Sequence, residues 1–378
     1  MSKIIYLVPE DYGFISHRLE LANKVSSIGH DVSVITRVRD HESDIISNGF
    51  KLFKLPNSEE NRNRRLLLTI LDLLSIYRKE KPDLVHHFTI RMAILGTIAA
   101  KLSGNIKVIN TITGLGSAFI YNDFRYKFLQ KIISSVLRIV LPSTQIIVQN
   151  NSDYDFIEGL GLNGQNIHKV FGSGVDVETF VPIEKDNQVP YVILPSRMLW
   201  VKGIGDFIEA IKLLREHNIE CKCMLIGESD DSNPASIPND QLLRWEREGW
   251  IEWQGYQKDM VSLLNKADVV CLPSYREGLP KTLLEAASSG IPIVTTDAPG
   301  CREVVDDGIN GILVEPKNPD ELYLALRKLI IDSELRSKMG KNGRAKVIKE
   351  LSSEVVINKT QSIYSSVLPN YFKKESCE

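Results

Sequence analysis

The stretch that decides the fold is VVCLPSYREGLPKTLLEAASSGIPIVTTD, residues 269–297. Its pattern predicts a strand, a loop, a helix and a second strand. Both strand segments are rich in apolar and β-branched residues, which is typical of strands buried on both faces of a parallel sheet. Two parallel neighbours need a crossover connection, and the helix between them supplies it. The stretch therefore predicts one βαβ unit of a doubly wound α/β sheet.

The same alternation of short apolar strands and amphipathic helices extends over the whole chain and predicts α/β layers throughout. The predicted strands of the first half are KIIYLVP, DVSVITR, FKLFKLP, LVHHF, KVINTIT, TQIIVQN and IHKVF. Those of the second half are YVILPSR, KCMLIGE, IEWQG, VVCLPS, PIVTTD and GILVEP. One intervening helix, DFIEAIKLLREH, is expected to begin with Asp206 as its N-cap and Glu209 three residues later.

A chain of 378 residues is long enough for two domains. The polar segment VPIEKDNQVP at 181–190 has no strand pattern and predicts the link between them. We expect an N-terminal domain at 1–180 and a C-terminal domain at 190–352. Two doubly wound domains that face one another would open the carboxyl ends of their strands into a shared cleft.

The composition is that of a soluble globular protein, with 43% hydrophobic and 25% charged residues. No apolar run reaches the ~20 residues that span a bilayer, and the N-terminus does not resemble a signal peptide, so a cytoplasmic location is expected. Residues 1–175 hold 21 basic against 16 acidic side chains, whereas 176–378 hold 25 against 32. A basic first half suits an anionic surface. Cys221 and Cys223 are expected to be reduced thiols, and no metal-ligand spacing is present.

Two carboxylates stand eight positions apart in REGLPKTLLE. Pro280 suits the first turn of the helix, so the backbone N–H groups around Gly278 and Leu279 are expected to form an anion site at the helix start. Glu277 precedes that start, and Glu285 lies one to two turns inside it. Carboxylates accept hydrogen bonds from vicinal hydroxyl groups, so one acid could hold a sugar and the other a ribose. The alternative is that both glutamates are ordinary solvated side chains of a surface helix.

Two cations stand five positions apart in SRMLWVKGIGDF, directly after another predicted strand. Arg197 would offer a fork of donors and Lys202 a point charge, and both suit a diphosphate. They could also neutralise a departing nucleoside diphosphate. The alternative is that both are ordinary loop charges.

These motifs, R-x4-K and E-x7-E followed by GIPIVTTDAPGCREVVDDGINGILVEP, resemble the retaining nucleotide-sugar glycosyltransferases of family four, which have the GT-B fold. The resemblance covers nearly the entire chain, and it implies that a last helix at 353–371 crosses back onto the N-terminal domain. It implies that Glu277 contacts the donor sugar, that Glu285 holds the ribose, and that Arg197 and Lys202 bind the diphosphate. Because two cations can take the place of a metal ion at a diphosphate, we expect no metal and no cofactor besides the nucleotide-sugar substrate.

Further positions take roles from the same resemblance. The turn QGYQKDM, with Tyr256, is similar to the segment whose backbone contacts the nucleobase, and Gly174 in GSGVDVETF is similar to an interdomain glycine. In the first half PEDYGFISHR offers Gly13, with His17 and Arg18 expected to start a helix. This version resembles a subset that elongates lipid-linked oligosaccharides. Thr113 stands where many relatives have a histidine that touches the donor sugar.

The resemblance implies transfer of a hexose or N-acetylhexosamine from a UDP-sugar to a polyprenyl-diphosphate-linked glycan, in surface-polysaccharide or O-antigen-type biosynthesis. No nucleic-acid partner is expected. Two alternatives remain open: a nucleotide-sugar epimerase of the same architecture, and a non-catalytic nucleotide-sugar-binding protein.

Two segments with basic and apolar residues bear on membrane contact. In FRYKFLQKIISSVLRIVL, 124–141, one stripe is apolar and the remaining face is basic. Such a helix could lie on an anionic bilayer at the inner face of the plasma membrane, or its apolar stripe could cover the sheet as core. For 61–81 the core interpretation is favoured. The apolar stripe of the first segment consists of Phe124, Phe128, Leu129 and Ile132, and its charges are Arg125, Lys127, Lys131 and Arg138.

Overall fold

A computed structural model describes residues 1–55, 62–116, 119, 123–185, 187–230 and 233–372, without the side chains of 62–65. Residue 61 of the predicted segment 61–81 and residue 186 of the predicted link lie outside the described residues. The chain divides into two compact units. The first unit comprises Met1–Ser173 and Val356–Glu378, and the second comprises Gly174–Val355. The division falls between residues 173 and 174, upstream of the predicted link at 181–190.

The described residues of the first unit form seven strands, each at a position that the sequence predicts. They are β1 (Lys3–Glu10), β2 (Asp31–Arg37), β3 (Lys51–Lys54), β4 (Leu84–Phe88), β5 (Lys107–Ile112), β6 (Gln145–Val148) and β7 (Ile167–Lys169). Its helices up to residue 173 are α1 (Asp11–His17), α2 (Leu19–Ser27), α3 (Glu42–Ser47), α4 (Arg62–Glu80), α5 (Ile90–Ser103), α6 (Phe124–Val140) and α7 (Asn151–Glu158).

In the second unit, the part of the chain that the structure describes forms six strands, again at predicted positions. They are β8 (Tyr191–Pro195), β9 (Lys222–Ile226), β10 (Glu252–Trp253), β11 (Val269–Leu272), β12 (Ile293–Thr296) and β13 (Gly311–Val314). The helices are α8 (Ile204–Glu216), α9 (Asn239–Arg247), α10 (Met260–Leu264), α11 (Lys281–Ser288), α12 (Pro319–Ile331) and α13 (Ser333–Lys346). A last helix, α14 (Ser353–Val367), begins in the second unit, and its residues from Val356 onward belong to the first.

Each unit has one sheet, and the strands pair in parallel. The strand order is β3-β2-β1-β4-β5-β6-β7 in the first unit and β10-β9-β8-β11-β12-β13 in the second. The order reverses between β1 and β4 in the first sheet and between β8 and β11 in the second. At such a switch point the loops that leave the carboxyl ends of the two central strands diverge, and ligands of doubly wound sheets bind there. The predicted fold class, two Rossmann-like units, is confirmed.

The core of the first unit lies on both faces of its sheet. Alternate residues of β1 point to opposite faces, so that Tyr6 packs in one apolar cluster and Ile5 in the other. The helix α14 covers the Tyr6 face with Ile357 and Tyr364. Within the described residues, no helix combines the length and the apolar character needed to cross a bilayer.

Two local predictions about helix starts are wrong. Asp206 is not an N-cap: α8 begins at Ile204, and Gly203 occupies the cap with φ +72°. A left-handed glycine can end the preceding turn and start the helix earlier than the side-chain pattern predicted. Pro280 lies one position before α11 rather than in its first turn, with an extended ψ of 116°.

Candidate active site

The loop that leaves β8 carries both predicted cations. Its backbone is fixed by the next loops of the sheet, since the N–H of Met198 donates to Glu228 O at 3.0 Å and the N–H of Trp200 donates to Ala235 O at 3.1 Å. Lys202 ends a 3-10 turn, and Gly203 follows it. Arg197 is exposed, and among the described residues its side chain has no hydrogen-bond or ion-pair partner.

The loop that leaves β11 is held against the first loop. The N–H of Tyr275 donates to Val201 O at 3.0 Å, and its hydroxyl donates to the Asp206 carboxylate at 3.0 Å. A Cβ on Gly203 would overlap the carbonyl oxygen of Pro273, so this close approach requires glycine. Because β8 and β11 flank the switch point, the two loops are joined where the sheet is expected to bind a ligand.

Lys202 and Glu277 meet across this junction. Lys202 Nζ lies 2.5 Å from Glu277 Oε1, and each side chain is only 14% exposed. The two residues are 75 positions apart, so the contact depends on the fold. In a largely buried ion pair, the attraction between the two charges offsets part of the cost of desolvating each of them. A ligand that binds there would replace some of the contacts between the two partners.

Glu277 is positioned by a third loop, which follows β12. The Glu277 N–H donates to Pro299 O at 2.9 Å. A Cβ on Gly300, whose φ is +88°, would come within 2.7 Å of the Glu277 backbone and Cβ. The Gly300 N–H donates to the buried Glu303 carboxylate at 2.8 Å. Gly300 and Glu303 were not predicted from the sequence, where their signal was a proline–glycine pair shortly after a strand.

Glu285 lies in the second turn of α11 and is 7% exposed. Burial raises the pKa of its carboxyl to about 7, and the nearby Lys281 ammonium lowers it in part. Lys281 Nζ lies 3.8 Å from Glu285 Oε1. The interpretation of Glu285 as a solvated surface residue is therefore wrong. A buried carboxyl that titrates near neutral pH is typical of binding and catalytic sites. The segment before α11, with Gly278 and Leu279, is half-buried.

The turn after β10 is joined to the same edge of the sheet. Gly227 donates its N–H to Gly255 O at 2.7 Å, and Trp253 Nε1 donates to Gly227 O at 2.9 Å. Tyr256 is exposed. Gly174, with φ +76°, packs against the backbone of Ser353, where a Cβ would approach the Ser353 Cα at 2.5 Å.

The predicted acceptor-side residues lie in the first unit. Gly13 is half-buried within α1, and Thr113 is half-buried directly after β5. The prediction that His17 and Arg18 start a helix is wrong for His17, which ends α1, whereas Arg18 is the N-cap residue of α2. A break between two short helices places Arg18 inside the unit, with its guanidinium 4.4 Å from the centre of the Phe88 ring.

The side chains that commonly bind metal ions, those of His, Cys, Asp and Glu, form no candidate metal site in the part of the chain that the structure describes. Among the described residues no group of three or more His, Cys, Asp or Glu side chains could hold a metal ion. Cys221 and Cys223 are free thiols with their Sγ atoms 3.6 Å apart.

Comparison with known proteins identifies the family. The model of the "Glycosyl transferases group 1" matches residues 177–346, and that of the "Glycosyl transferase 4-like" proteins matches residues 3–151. Together they span most of both units. The chain is a glycosyltransferase whose residues 177–346 match the group 1 model. The predicted family is confirmed, and glycosyl transfer is the class of reaction; both alternatives, an epimerase and a non-catalytic binding protein, gain no support.

Two curated relatives align over nearly the full chain. One is the N,N'-diacetylbacillosaminyl-diphospho-undecaprenol alpha-1,3-N-acetylgalactosaminyltransferase of Campylobacter jejuni, 24% identical over 95% of this chain and 99% of the relative. The other is the UDP-Gal:alpha-D-GlcNAc-diphosphoundecaprenol alpha-1,3-galactosyltransferase of Escherichia coli, 26% identical over 90% of each.

Two solved structures show the same fold. Anabaena HepE in complex with UDP and glucose has a TM-score of 0.81 at 16% identity and covers 97% of this chain and 100% of its own. The sucrose-phosphate synthase of Thermosynechococcus elongatus has a TM-score of 0.82 at 16% identity, with 98% and 100% covered. These likenesses show the GT-B fold.

Proposed function

We propose that this glycosyltransferase moves a hexose or N-acetylhexosamine from a UDP-sugar to a polyprenyl-diphosphate-linked glycan, with retention of the anomeric configuration. The single observation that carries the proposal is the Lys202–Glu277 pair at the switch point of the second unit. The acceptor class is supported by the two relatives above, whose names specify diphospho-undecaprenol-linked substrates.

The ion pair forms part of a preformed binding site for the UDP-sugar. A diphosphate supplies oxygen atoms that compete with Glu277 for the Lys202 ammonium, which frees the carboxylate for the hydroxyl groups of the sugar. Arg197, exposed on the same loop, adds a second cation for the diphosphate. The segment Gly278–Pro280 precedes the start of α11, whose N–H groups and dipole also favour an anion.

The nucleoside is assigned to the remaining groups of this edge. Glu285 in its ionised form accepts hydrogen bonds from both ribose hydroxyl groups. The turn with Tyr256 offers its backbone to the uracil. Because Glu285 is buried, these hydrogen bonds form in a medium of low polarity, where they discriminate strongly against a nucleotide that lacks the hydroxyl groups.

The reaction breaks the bond between the anomeric carbon and the diphosphate oxygen, and forms a bond from that carbon to an acceptor hydroxyl oxygen, whose proton is released. Lys202 and Arg197 stabilise the charge that develops on the departing UDP. The two cations supply the charge that a metal ion would otherwise provide, so we propose that transfer is independent of metal. Retention requires the acceptor to attack from the face that the UDP leaves.

A test of this function follows UDP release from a panel of UDP-sugars, with and without a diphospholipid-linked sugar, in buffer with a metal chelator. UDP release that depends on the acceptor supports transfer. Isomerised UDP-sugar without UDP release would instead indicate an epimerase, and binding without turnover would indicate a binding protein. The anomeric configuration of the product, read by proton NMR, tests retention.

We also propose that the enzyme works on the surface of an anionic membrane through α6. The apolar stripe predicted from the sequence is not core, since Phe124 is 85% and Phe128 61% exposed. Leu137 and Val140 form the buried side of the helix instead. Arg125, Lys127, Lys131 and Arg138 supply the positive charge that an anionic bilayer attracts, and the exposed apolar residues can enter its interface.

Vesicle flotation tests the membrane proposal. Wild-type protein is expected to float with vesicles that contain phosphatidylglycerol and to stay behind with pure phosphatidylcholine. The double variant Phe124→Ser, Phe128→Ser should lose flotation. The matched control is Leu324→Ser, Ile331→Ser, which removes two exposed apolar residues of α12. Equal flotation of all three proteins would exclude α6 as the contact.

A further inference from the structure

Arg18 carries a buried charge that no group among the described residues balances. Its side chain is 8% exposed, and within the described residues its guanidinium has no hydrogen-bond or ion-pair partner. The guanidinium lies over the face of the Phe88 ring, with Arg18 Cζ 4.4 Å from the ring centre. Charged groups this deeply buried are normally paired, because the loss of hydration is costly.

The groups around Arg18 are neutral. Tyr364 donates to the Tyr6 hydroxyl at 3.0 Å, and His86 contacts Tyr364 and Thr111 at 2.6 and 2.7 Å. Burial and the nearby guanidinium hold the pKa of His86 well below its usual range, so the imidazole is uncharged at neutral pH. Burial lowers the pKa of Arg18 only to about 10, so the guanidinium stays positive at neutral pH. The cluster therefore has a net positive charge.

A small cavity of about 20 Å³ adjoins this cluster. This volume admits about one water-sized group, such as one oxygen of a larger anion. Its lining includes Arg18 together with polar groups, namely His17, Ser173 and Thr360. His17 Nδ1 lies 3.3 Å from Ser173 Oγ. The cavity is therefore lined by a cation and by groups that can donate hydrogen bonds.

The cavity lies at the ligand-binding edge of the first sheet. Arg18 follows β1 through α1, and Phe88 is the last residue of β4. These two strands flank the switch point of the sheet order. The first unit thus repeats the arrangement of the second, in which a cation stands beside the two central strands where ligands of this fold bind.

We propose that this cavity is a phosphate subsite, in which Arg18 binds an oxygen of the diphosphate of the lipid-linked acceptor while the rest of the acceptor stays outside. The assignment of the diphosphate as the acceptor's rests on the proposed function. The anion supplies the counter-charge that the fold omits, and His17 and Ser173 add hydrogen bonds to it.

Direct binding tests the subsite without any need for turnover. Citronellyl diphosphate, a short soluble probe, is titrated into the enzyme by calorimetry with excess UDP present to fill the donor site. Arg18→Met should weaken binding about 10- to 100-fold, since a charge-assisted hydrogen bond is lost. Arg18→Lys, which keeps the charge without the fork, should fall between. Lys24→Met, an exposed cation of α2, is the control and should bind as wild type does.

Inorganic phosphate and citronellol form the two comparison arms. Binding of inorganic phosphate as tightly as the lipid diphosphate would assign the subsite to free phosphate. Citronellol binding should be weak and should not respond to Arg18→Met. Equal diphosphate affinity in wild type and Arg18→Met would overturn the proposal.

Kinetics and stability separate binding from a structural role. Arg18→Met should raise the KM for a diphosphate-linked acceptor more than it changes kcat. Its melting temperature should not fall, because the variant removes an unbalanced buried charge. A lower melting temperature together with unchanged affinity would make Arg18 a structural residue. Failure of all transfer with diphosphate binding retained would refute the proposed function but leave the subsite standing.

Discussion

Glu285 gives the sharpest test of the UDP-sugar site, because the burial of its carboxyl lowers the stability of the folded protein but favours nucleoside binding. Its carboxyl pKa rises from 4.5 to about 7 in the folded protein. A shift of this size corresponds to about 3 kcal/mol of unfolding free energy. Below about pH 4.5 the carboxyl is protonated in both states. As the pH rises toward 7 the unfolded chain ionises first, and stability falls.

Glu285→Gln should therefore be more stable than wild type at pH 8, by up to about 3 kcal/mol, and equal to it near pH 4.5. Urea unfolding followed by tryptophan fluorescence measures this directly, because all four tryptophans lie in the second unit. Glu252→Gln, at an exposed position of β10, is the matched control and should show no gain. Parallel stability profiles for Glu285→Gln and wild type across this pH range would refute the reasoning.

The same variant should lose nucleoside binding. Uridine is the preferred probe because, unlike UDP, it has no phosphate that titrates between pH 5 and 8. If the ionised carboxyl holds the ribose, uridine affinity should rise about tenfold from pH 6 to pH 8 in wild type. Glu285→Gln should bind about 10- to 100-fold more weakly at pH 8, with a flat profile. A flat profile in wild type would remove Glu285 from the site.

Two further predictions concern the loops at the switch point. Gly203→Ala should destabilise the second unit by about 2 kcal/mol or more, because the new Cβ meets the Pro273 backbone. Gly255→Ala, also at positive φ but in open space, is the control and should cost about 1 kcal/mol. Equal losses of unfolding free energy in urea would contradict the close-approach argument. Lys202→Met should lower kcat about 100- to 1,000-fold through loss of charge stabilisation. Lys212→Met, which breaks the surface pair with Glu209, should leave kcat unchanged, and an equal effect of both would make the loss non-specific.

The strands were predictable because their signal is local. Parallel strands buried on both faces are apolar throughout, so runs such as LVHHF and VVCLPS identified their strands from a few neighbouring residues. Helix starts were less predictable. Gly203 starts α8 through its positive φ, which requires knowledge of the Pro273 backbone packed against it. The acidic residues that follow looked like a capping box, but Asp206 instead accepts a hydrogen bond from Tyr275.

The charged residues of the candidate site were predictable from the sequence, but the contacts between them were not. Spacing identified Lys202 and Glu277 as loop residues after strands. Their ion pair depends on the strand order, which brings β8 beside β11 across the sequence. The burial of Arg18 was equally hidden, since a cation near a helix end normally lies in solvent. The sequence did not decide whether the apolar stripe of α6 contacts a membrane or the core, because an amphipathic pattern does not show which side of the helix faces the sheet.

A crystal structure with UDP tests the central claim most directly. The account predicts that the diphosphate contacts Lys202, that the ribose hydroxyl groups contact Glu285, and that the uracil lies by the turn at Tyr256. Glu277 should have released Lys202 in part and should face the position of the sugar. UDP bound elsewhere, with the Lys202–Glu277 pair intact, would contradict the account.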